Sequence, residues 1–178
     1  YDFLTRIISN VDRIIINGDF WDGYLISFSD FLNSKWSKLF PILKSKNTIY
    51  LFGNHDKEQQ NIPQLTKLFC DKALKFIDIE IYNNIFHVEH GDRFFRNLSS
   101  IFPHIQQKIA NLYYSIGTHI FKENFWKTYK NQNAKLNKLL TLEYPDHKII
   151  TSHTHLPTNI EDRFYNTGLI NYGLAQYI

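Results

Sequence analysis

Four short apolar runs, each ending abruptly in a polar cluster, constrain the fold more than any other feature of this sequence. The first covers residues 14–19, I-I-I-N-G-D, and delivers Asp19 just after a glycine. The others end in G-N-H-D at residues 53–56, in H-G-D at residues 90–92 and in S-H-T-H at residues 152–155. Short apolar runs bounded by turn residues are typical of buried strands. We therefore predict four strands whose carboxyl ends carry carboxylate, amide and imidazole side chains.

Helical patterns alternate with these strands, which predicts an α/β layered domain. Apolar residues recur at helical spacing over residues 1–12, and Ser27 or Ser29 can cap a second helix. Pro63 fits the first turn of another helix. Two alternating runs joined by Asn83–Asn84 predict a hairpin, because asparagine tolerates positive φ. That hairpin makes the sheet mixed rather than purely parallel.

A long helical pattern, over about residues 98–142, precedes the last polar cluster. Gly117 and Asn131–Asn133 are the predicted breaks, so we expect two or three helices. A strand over residues 147–151 and a last strand near Gly173–Ile178 complete the chain. With this helical insertion included, we predict one domain over residues 1–178.

From the length and composition we expect one folded, soluble domain. The 178 residues are 43% hydrophobic and 16% aromatic, which is ample for a sizeable core. The formal net charge of +3 does not by itself indicate a nucleic-acid or anionic membrane partner. Cys70 is the single cysteine, so no internal disulfide is expected; we predict a small core residue in a reducing compartment. No run of about 18 apolar residues predicts a membrane span, and we expect a cytoplasmic protein.

The polar residues at the strand ends have the donor chemistry of a divalent metal site. In α/β domains the carboxyl ends of strands open into the loops where ligands bind, so these side chains are expected to converge. Oxygen and imidazole donors without a thiolate suit Mn, Fe, Zn, Ni or Co. Each motif alone is more often a polar turn, but the four together favour a metal site. The residues concerned are Asp19, Asn54, His90, His153 and His155.

The series G-D, G-N-H-D, H-G and S-H-T-H, from Gly18 to His155, resembles the calcineurin-like metallophosphoesterase superfamily. The resemblance implies a four-layer αββα sandwich of two mixed β-sheets with outer helices. It also implies two divalent metal ions, with manganese as the first expectation and Fe, Zn, Ni or Co as alternatives. The implied reaction is hydrolysis of a phosphate ester or anhydride by water activated at the two ions.

By motif, the resemblance implies metal-binding roles for five residues. Asp19 resembles the ligand that bridges both ions, and a carboxylate can do this whereas an imidazole nitrogen binds one ion. The other implied ligands are Asn54, His90 and His153 for the second metal and His155 for the first.

The resemblance also implies catalytic and substrate-binding roles. His55 resembles the residue that contacts the phosphate oxygens and protonates the leaving group, with Asp56 orienting it through a hydrogen bond. Asn54 then lies beside the substrate as well. Arg93 follows the H-G-D cluster directly and is expected to bind a phosphate; Arg96 is either a second such residue or a solvated charge.

Two departures from the family pattern affect the expected site. The family opens with Asp-x-His on its first strand, and no such motif precedes Asp19 here. The chain starts at Tyr1 and contains no methionine, so we expect an upstream segment with that strand; without it, one metal site is complete and the other weak. Ser152 stands where the family usually has glycine.

Within the superfamily, the sequence resembles UDP-2,3-diacylglucosamine hydrolases of lipid A synthesis. The resemblance rests on G-D-F-W-D at residues 18–22, H-G-D-R-F at residues 90–94, the helical insertion and Y-N-T-G at residues 165–168. It implies that the insertion forms a lid over acyl chains, at the surface of the inner membrane. Its aromatic residues either line an apolar groove or pack the helices onto the core; they are Phe121, Phe125, Trp126 and Tyr129.

Two other functions stay open. A phosphodiesterase or nuclease would use a basic helix face, formed by Lys122, Lys127, Lys130, Lys135 and Lys138. These lysines equally suit a solvated face, and no aromatic stacking platform accompanies them, so a nucleic-acid partner is not expected. A non-catalytic interaction module on the same fold is the third hypothesis. The expected partner is a phosphate-containing small molecule or lipid-linked substrate, and the sequence indicates no obligate protein partner.

Overall fold

A computed structural model describes residues 2–56, 63–95, 112, 116–117, 122–168, 170–171 and 174–175. Its contacts group the chain into two compact units, residues 1–75 and residues 76–178. A single domain over residues 1–178 stays a prediction. In the described part of the chain, no helix is long and apolar enough to cross a membrane.

The first unit is built on a parallel three-stranded sheet. Its strands are β1 (Ile15–Asn17), β2 (Ile49–Leu51) and β3 (Lys72–Leu74), in the order β1-β2-β3. Parallel neighbours need a crossover connection, and helices supply it. These helices and the one before β1 are α1 (Asp2–Ser9), α2 (Phe28–Leu32), a 3-10 helix (Lys35–Leu39), α3 (Phe40–Ser45) and α4 (Pro63–Phe69).

The core of the first unit is aromatic and lies against β2. All three residues of β2 are buried, as expected for the middle strand of a parallel sheet. Tyr50, Phe31 and Phe69 are fully buried there. Cys70 is also buried, which confirms it as a core residue, and burial raises the pKa of its thiol to about 11. Ser27 caps α2 by accepting the backbone N–H of Asp30.

The second unit is built on a mixed five-stranded sheet in the order β4-β5-β6-β8-β7. The β4/β5 and β7/β8 pairs are antiparallel, and β6 runs parallel to both β5 and β8. The strands are β4 (Phe76–Ile81), β5 (Asn84–Glu89), β6 (Lys148–Thr151), β7 (Thr158–Ile160) and β8 (Phe164–Asn166). The other elements are a 3-10 helix (Asp92–Phe94), the helix α5 (Lys122–Glu143) and a small hairpin of β9 (Ile170–Asn171) and β10 (Leu174–Ala175).

The predicted α/β class is confirmed, because the described residues form a three-stranded sheet and a five-stranded mixed sheet together with helices. The sheet of the first unit is parallel throughout its described strands rather than mixed. The hairpin turn lies one residue earlier than predicted, at Tyr82–Asn83, where both residues have positive φ. Of the insertion predicted over residues 98–142, only residues 112, 116–117 and 122–142 belong to the described residues.

The break predicted at Asn131–Asn133 is wrong, because α5 runs without interruption from Lys122 to Glu143. One face of α5 is buried, with Phe125, Leu136 and Leu140 almost fully covered. Packing of this face stabilises the helix more than the low helix propensity of asparagine weakens it.

A buried histidine in the second unit is held between two carboxylates. His87 on β5 is fully buried, with Nδ1 2.6 Å from Oδ1 of Asp78 and Nε2 3.2 Å from Oε2 of Glu89. Its ring stacks on Tyr144, with the ring centroids 3.7 Å apart. Burial alone would lower the pKa of His87, but the hydrogen bonds to Glu89 and Asp78 outweigh burial and raise it above 6.5.

The raised pKa of His87 predicts a specific pH dependence of stability. The folded state binds the proton more tightly than the unfolded state, so the stabilisation is complete below pH 6.5 and is lost as the pH rises through the folded pKa. The free energy of unfolding, measured with urea at several pH values, should fall over this range. In His87→Gln that fall should be smaller. Identical pH dependence in both proteins would contradict a protonated His87.

Candidate functional site

In the first unit, the predicted bridging ligand has an unusual backbone. Asp19 follows β1 with φ of 54°, a left-handed conformation that is uncommon outside glycine and often kept at functional sites. Its Oδ1 accepts the backbone N–H of His55 at 2.9 Å. A Cβ at Gly53 would lie 2.7 Å from the backbone nitrogen of Asp19, closer than real side chains permit. Only glycine at position 53 lets the two loops after β1 and β2 approach this closely.

His55 is oriented by a carboxylate from the loop after β1. Its Nδ1 lies 3.1 Å from Oδ1 of Asp22, and the Tyr24 ring packs edge-on against the imidazole. The Tyr24 hydroxyl donates to the carbonyl oxygen of Asn54 at 3.1 Å. The backbone N–H of Gly23 donates to the carbonyl oxygen of His55. These contacts fix one ring nitrogen of His55 and leave the imidazole half-buried.

Asp56 is hydrogen-bonded to groups of its own loop and of β2. It is fully buried, and its Oδ1 accepts the backbone N–H of Gly53 at 2.7 Å, while Oδ2 accepts the hydroxyl of Tyr50. Burial, followed by the charge of Asp56, raises the pKa of Tyr50 well above its usual value, so this hydroxyl stays protonated and donates. Asp56 therefore holds the loop after β2, and Asp22 forms an ion pair with His55. Orientation of His55 by Asp56 stays a prediction. The missed signal was the second aspartate of G-D-F-W-D.

In the second unit, two predicted ligands meet at the ends of neighbouring parallel strands. His90 follows β5 and His153 follows β6. The Nε2 atom of His90 lies 3.2 Å from Nδ1 of His153. Nitrogens that bind one ion at about 2.1 Å are separated by about 3.0 to 3.4 Å. The separation of these two nitrogens therefore matches that of two ligands of one divalent ion.

Ser152 contacts the ring of His90 on the side away from His153. Its Oγ lies 2.9 Å from Nδ1 of His90. When Nδ1 carries the proton and donates to this hydroxyl, Nε2 keeps its lone pair for an ion. The residue that departs from the family pattern thus orients a predicted ligand. His155 has φ of 62°, and its backbone N–H donates to the carbonyl oxygen of Ser152.

Arg93 is already paired with acidic groups. Its Nε contacts both carboxylate oxygens of Glu89 at 3.0 and 3.1 Å, and Nη2 donates to Glu143 at 2.8 Å. The hydrogen bond from Arg93 lowers the pKa of Glu143. A phosphate at Arg93 would compete with these carboxylates, so its substrate-binding role stays a prediction. Arg96 lies outside the described residues.

The aromatic and basic residues of the insertion are partly engaged in packing. Phe125 is almost fully buried, and its ring contacts the rings of Trp126 and Tyr129. Lys135 donates to the carbonyl oxygen of Phe94 at 3.1 Å. Phe121 lies outside the described residues. These ring contacts lie within α5 itself, and they support neither the lid hypothesis nor the nuclease hypothesis.

Comparison with known proteins identifies one family. A family model described as calcineurin-like phosphoesterase matches residues 1–174. No curated protein matches the chain. Among solved structures, the chain is similar to a novel archaeal phosphodiesterase, with 18% identity, 94% of this chain and 72% of that chain covered, and a TM-score of 0.43. It is also similar to AQ665, a protein of unknown function from Aquifex aeolicus, with 19% identity and a TM-score of 0.40. That match covers 89% of this chain and 67% of AQ665.

The contact between Ser152 and His90 predicts an effect on metal affinity. Ser152→Ala removes the hydroxyl that orients His90, and loss of such a partner weakens metal binding by about tenfold or more. Titration with Mn²⁺, followed by electron paramagnetic resonance of the free ion, measures the affinity. Ser45→Ala, at an exposed serine of α3, is the control and should bind as the wild type does. Equal affinity of Ser152→Ala and wild type would contradict the orienting role.

Proposed function

The chain belongs to the calcineurin-like phosphoesterase family, and from this premise we propose that its strand-end residues bind two divalent ions and hydrolyse a phosphate ester or anhydride. Family membership supports a phosphoester hydrolase that uses divalent metal ions. The observation that carries the proposal is the 3.2 Å approach of His90 Nε2 to His153 Nδ1, where two neighbouring parallel strands end.

The donor set matches the chemistry of such ions. The residues that would hold them are Asp19, Asn54, His90, His153 and His155. Carboxylate, amide and imidazole donors suit manganese, which we propose first, and equally Fe, Zn, Ni or Co. Bound ions would lower the pKa of water and neutralise charge on the phosphoryl oxygens. The strained backbone of Asp19 and His155 supports a functional role for both, because such conformations cluster at active sites.

His55 is the proposed general acid for the leaving oxygen. Its Nδ1 is paired with Asp22, and we assign protonation of the leaving group to the other ring nitrogen, Nε2. A carboxylate on Nδ1 fixes the tautomer and the ring orientation and stabilises the protonated imidazole. We assign this orienting role to Asp22 and a loop-holding role to Asp56, whose carboxylate binds Gly53 and Tyr50.

For the substrate, we propose a small or lipid-linked molecule with a phosphate ester or diphosphate. UDP-2,3-diacylglucosamine is the specific proposal, supported by the motifs at residues 18–22, 90–94 and 165–168. Arg93 would contact the diphosphate by exchanging its exposed pair with Glu143 for a phosphate oxygen. A lipid-linked substrate would bring the protein to a membrane surface.

The bridging role of Asp19 predicts loss of both binding and hydrolysis. Asp19→Ala removes the proposed shared ligand, so Mn²⁺ affinity and Mn²⁺-dependent hydrolysis of bis-p-nitrophenyl phosphate or UDP-linked diphosphates should both fall to background. Asp12→Asn, an exposed change in the same unit, is the control. Hydrolysis by Asp19→Ala at the wild-type rate would overturn the proposal.

The pairing of His55 with Asp22 predicts a split between turnover and metal binding. His55→Ala removes the proton donor, and kcat should fall by about 10²- to 10⁴-fold with little change in Mn²⁺ affinity. Asp22→Asn keeps the side-chain shape but removes the charge, so its kcat should fall in the same direction by a smaller factor. A substrate with a p-nitrophenolate leaving group, which needs no proton, should show a smaller loss than an alkyl ester. The same loss for both substrates would argue against a general acid.

A further inference from the structure

The helix α5 carries one buried amide that reaches the loop of the last two predicted ligands. Asn133 is 1% exposed although it lies in the middle of a helix of 22 residues. Its Nδ2 donates to the carbonyl oxygen of Leu156 at 3.0 Å and to Oγ1 of Thr158 at 2.6 Å. Its Oδ1 accepts the hydroxyl of Thr154. Thr154 belongs to the S-H-T-H cluster at residues 152–155, and Leu156 and Thr158 follow it closely.

A second buried amide closes the network from the opposite side. Asn166, at the end of β8, donates from Nδ2 to Thr154 Oγ1 at 2.9 Å, and it lies 3.3 Å from both Asn133 Oδ1 and Thr151 Oγ1. Its own Oδ1 accepts the backbone N–H of Gly168 at 2.9 Å. Asn133, Thr154 and Asn166 are each at most 1% exposed. The network therefore joins the helix, the ligand loop and a neighbouring strand in a region without solvent.

Packing alone does not explain an amide at position 133. The neighbouring buried positions of α5 are leucines, Leu136 and Leu140, which bury apolar surface at no polar cost. A buried amide is costly unless its donors and acceptor are all bonded. At Asn133 they are bonded, and three of the groups that they bind lie within residues 154–158.

Thr154 connects this network to the predicted ligands because it lies between His153 and His155. Its side chain is held by both amides, so the backbone that carries the two imidazoles is held as well. His155 needs such support, because its left-handed backbone is strained. The backbone N–H groups of Ser152 and His153 also anchor the loop, by donating to the carbonyl oxygen of His90.

We propose that Asn133 is a positioning residue that preorganises His153 and His155 for a divalent ion through Thr154. This inference rests on the proposed function, because it concerns the same metal centre. It also gives α5 a role of its own, because this helix supports the proposed metal-binding loop from within the second unit. An ion then binds without first ordering the loop, which strengthens binding.

The test separates positioning from general stability with two control variants. Asn133→Ala removes the amide, Leu140→Ala opens a cavity on the same helix face away from the loop, and Asn131→Ala changes an exposed asparagine of α5. Each protein is titrated with Mn²⁺ at a temperature where circular dichroism shows it folded, and its Tm is measured without metal. Asn133→Ala should bind Mn²⁺ about tenfold or more weakly. Leu140→Ala should lose Tm and keep the affinity, and Asn131→Ala should keep both.

Substitutions of Thr154 give an independent readout if Asn133→Ala does not fold. Thr154→Ser keeps the hydroxyl and should bind Mn²⁺ as wild type does, whereas Thr154→Val should bind about tenfold or more weakly. Wild-type affinity in Asn133→Ala or Thr154→Val overturns the positioning role and leaves the proposed function intact. Equal loss of affinity in Leu140→Ala also overturns it, because the effect would then follow stability alone. Absence of binding in the wild type refutes both proposals.

Discussion

The hydrogen bond from the His55 backbone N–H to the Asp19 carboxylate joins the ends of two neighbouring parallel strands, and the proposed chemistry of the first unit depends on it. It places the predicted bridging ligand beside the proposed general acid. It requires glycine at position 53, because a side chain there would collide with Asp19. It also accompanies the left-handed backbone of Asp19, whose cost the surrounding contacts must offset.

In the second unit, backbone hydrogen bonds likewise join the ends of two neighbouring parallel strands. The carbonyl oxygen of His90 accepts the N–H groups of Ser152 and His153, so the ends of β5 and β6 are tied where the two imidazoles meet. Ser152 then fixes the far side of the His90 ring, and the amide of Asn133 fixes the loop beyond it. In both units, residues that are not ligands hold the predicted ligands in place, which is the usual arrangement of metal centres.

Much of this arrangement is predictable from local sequence. The runs before Asp19, Asn54, His90 and His153 are apolar and short. A strand, β1, β2, β5 or β6, ends within each run, shortly before the polar residue. The strands β3, β7 and β8 were not predicted, because three residues such as Lys72–Leu74 carry too little pattern to indicate a strand. Their pairing depends on neighbours that are distant in sequence.

The side-chain partnerships are the part that sequence patterns cannot supply. G-D-F-W-D indicates a turn, and nothing in the local sequence indicates that Asp22 pairs with His55. Asn133 has a low helix propensity, and its role follows from distant partners such as Thr154 and Asn166, which lie 21 and 33 residues further along the chain. Such pairs form because buried polar groups must find partners in three dimensions, whatever their separation in sequence.

The most direct test of the proposed metal centre is a crystal structure of the protein soaked in Mn²⁺, with an anomalous difference map recorded at the manganese edge. A peak within about 2.3 Å of His90 Nε2 and His153 Nδ1 is the predicted result, at the distance expected for imidazole ligands. An ordered site without a peak, or manganese bound only elsewhere, would contradict the proposal that these strand ends form a metal centre.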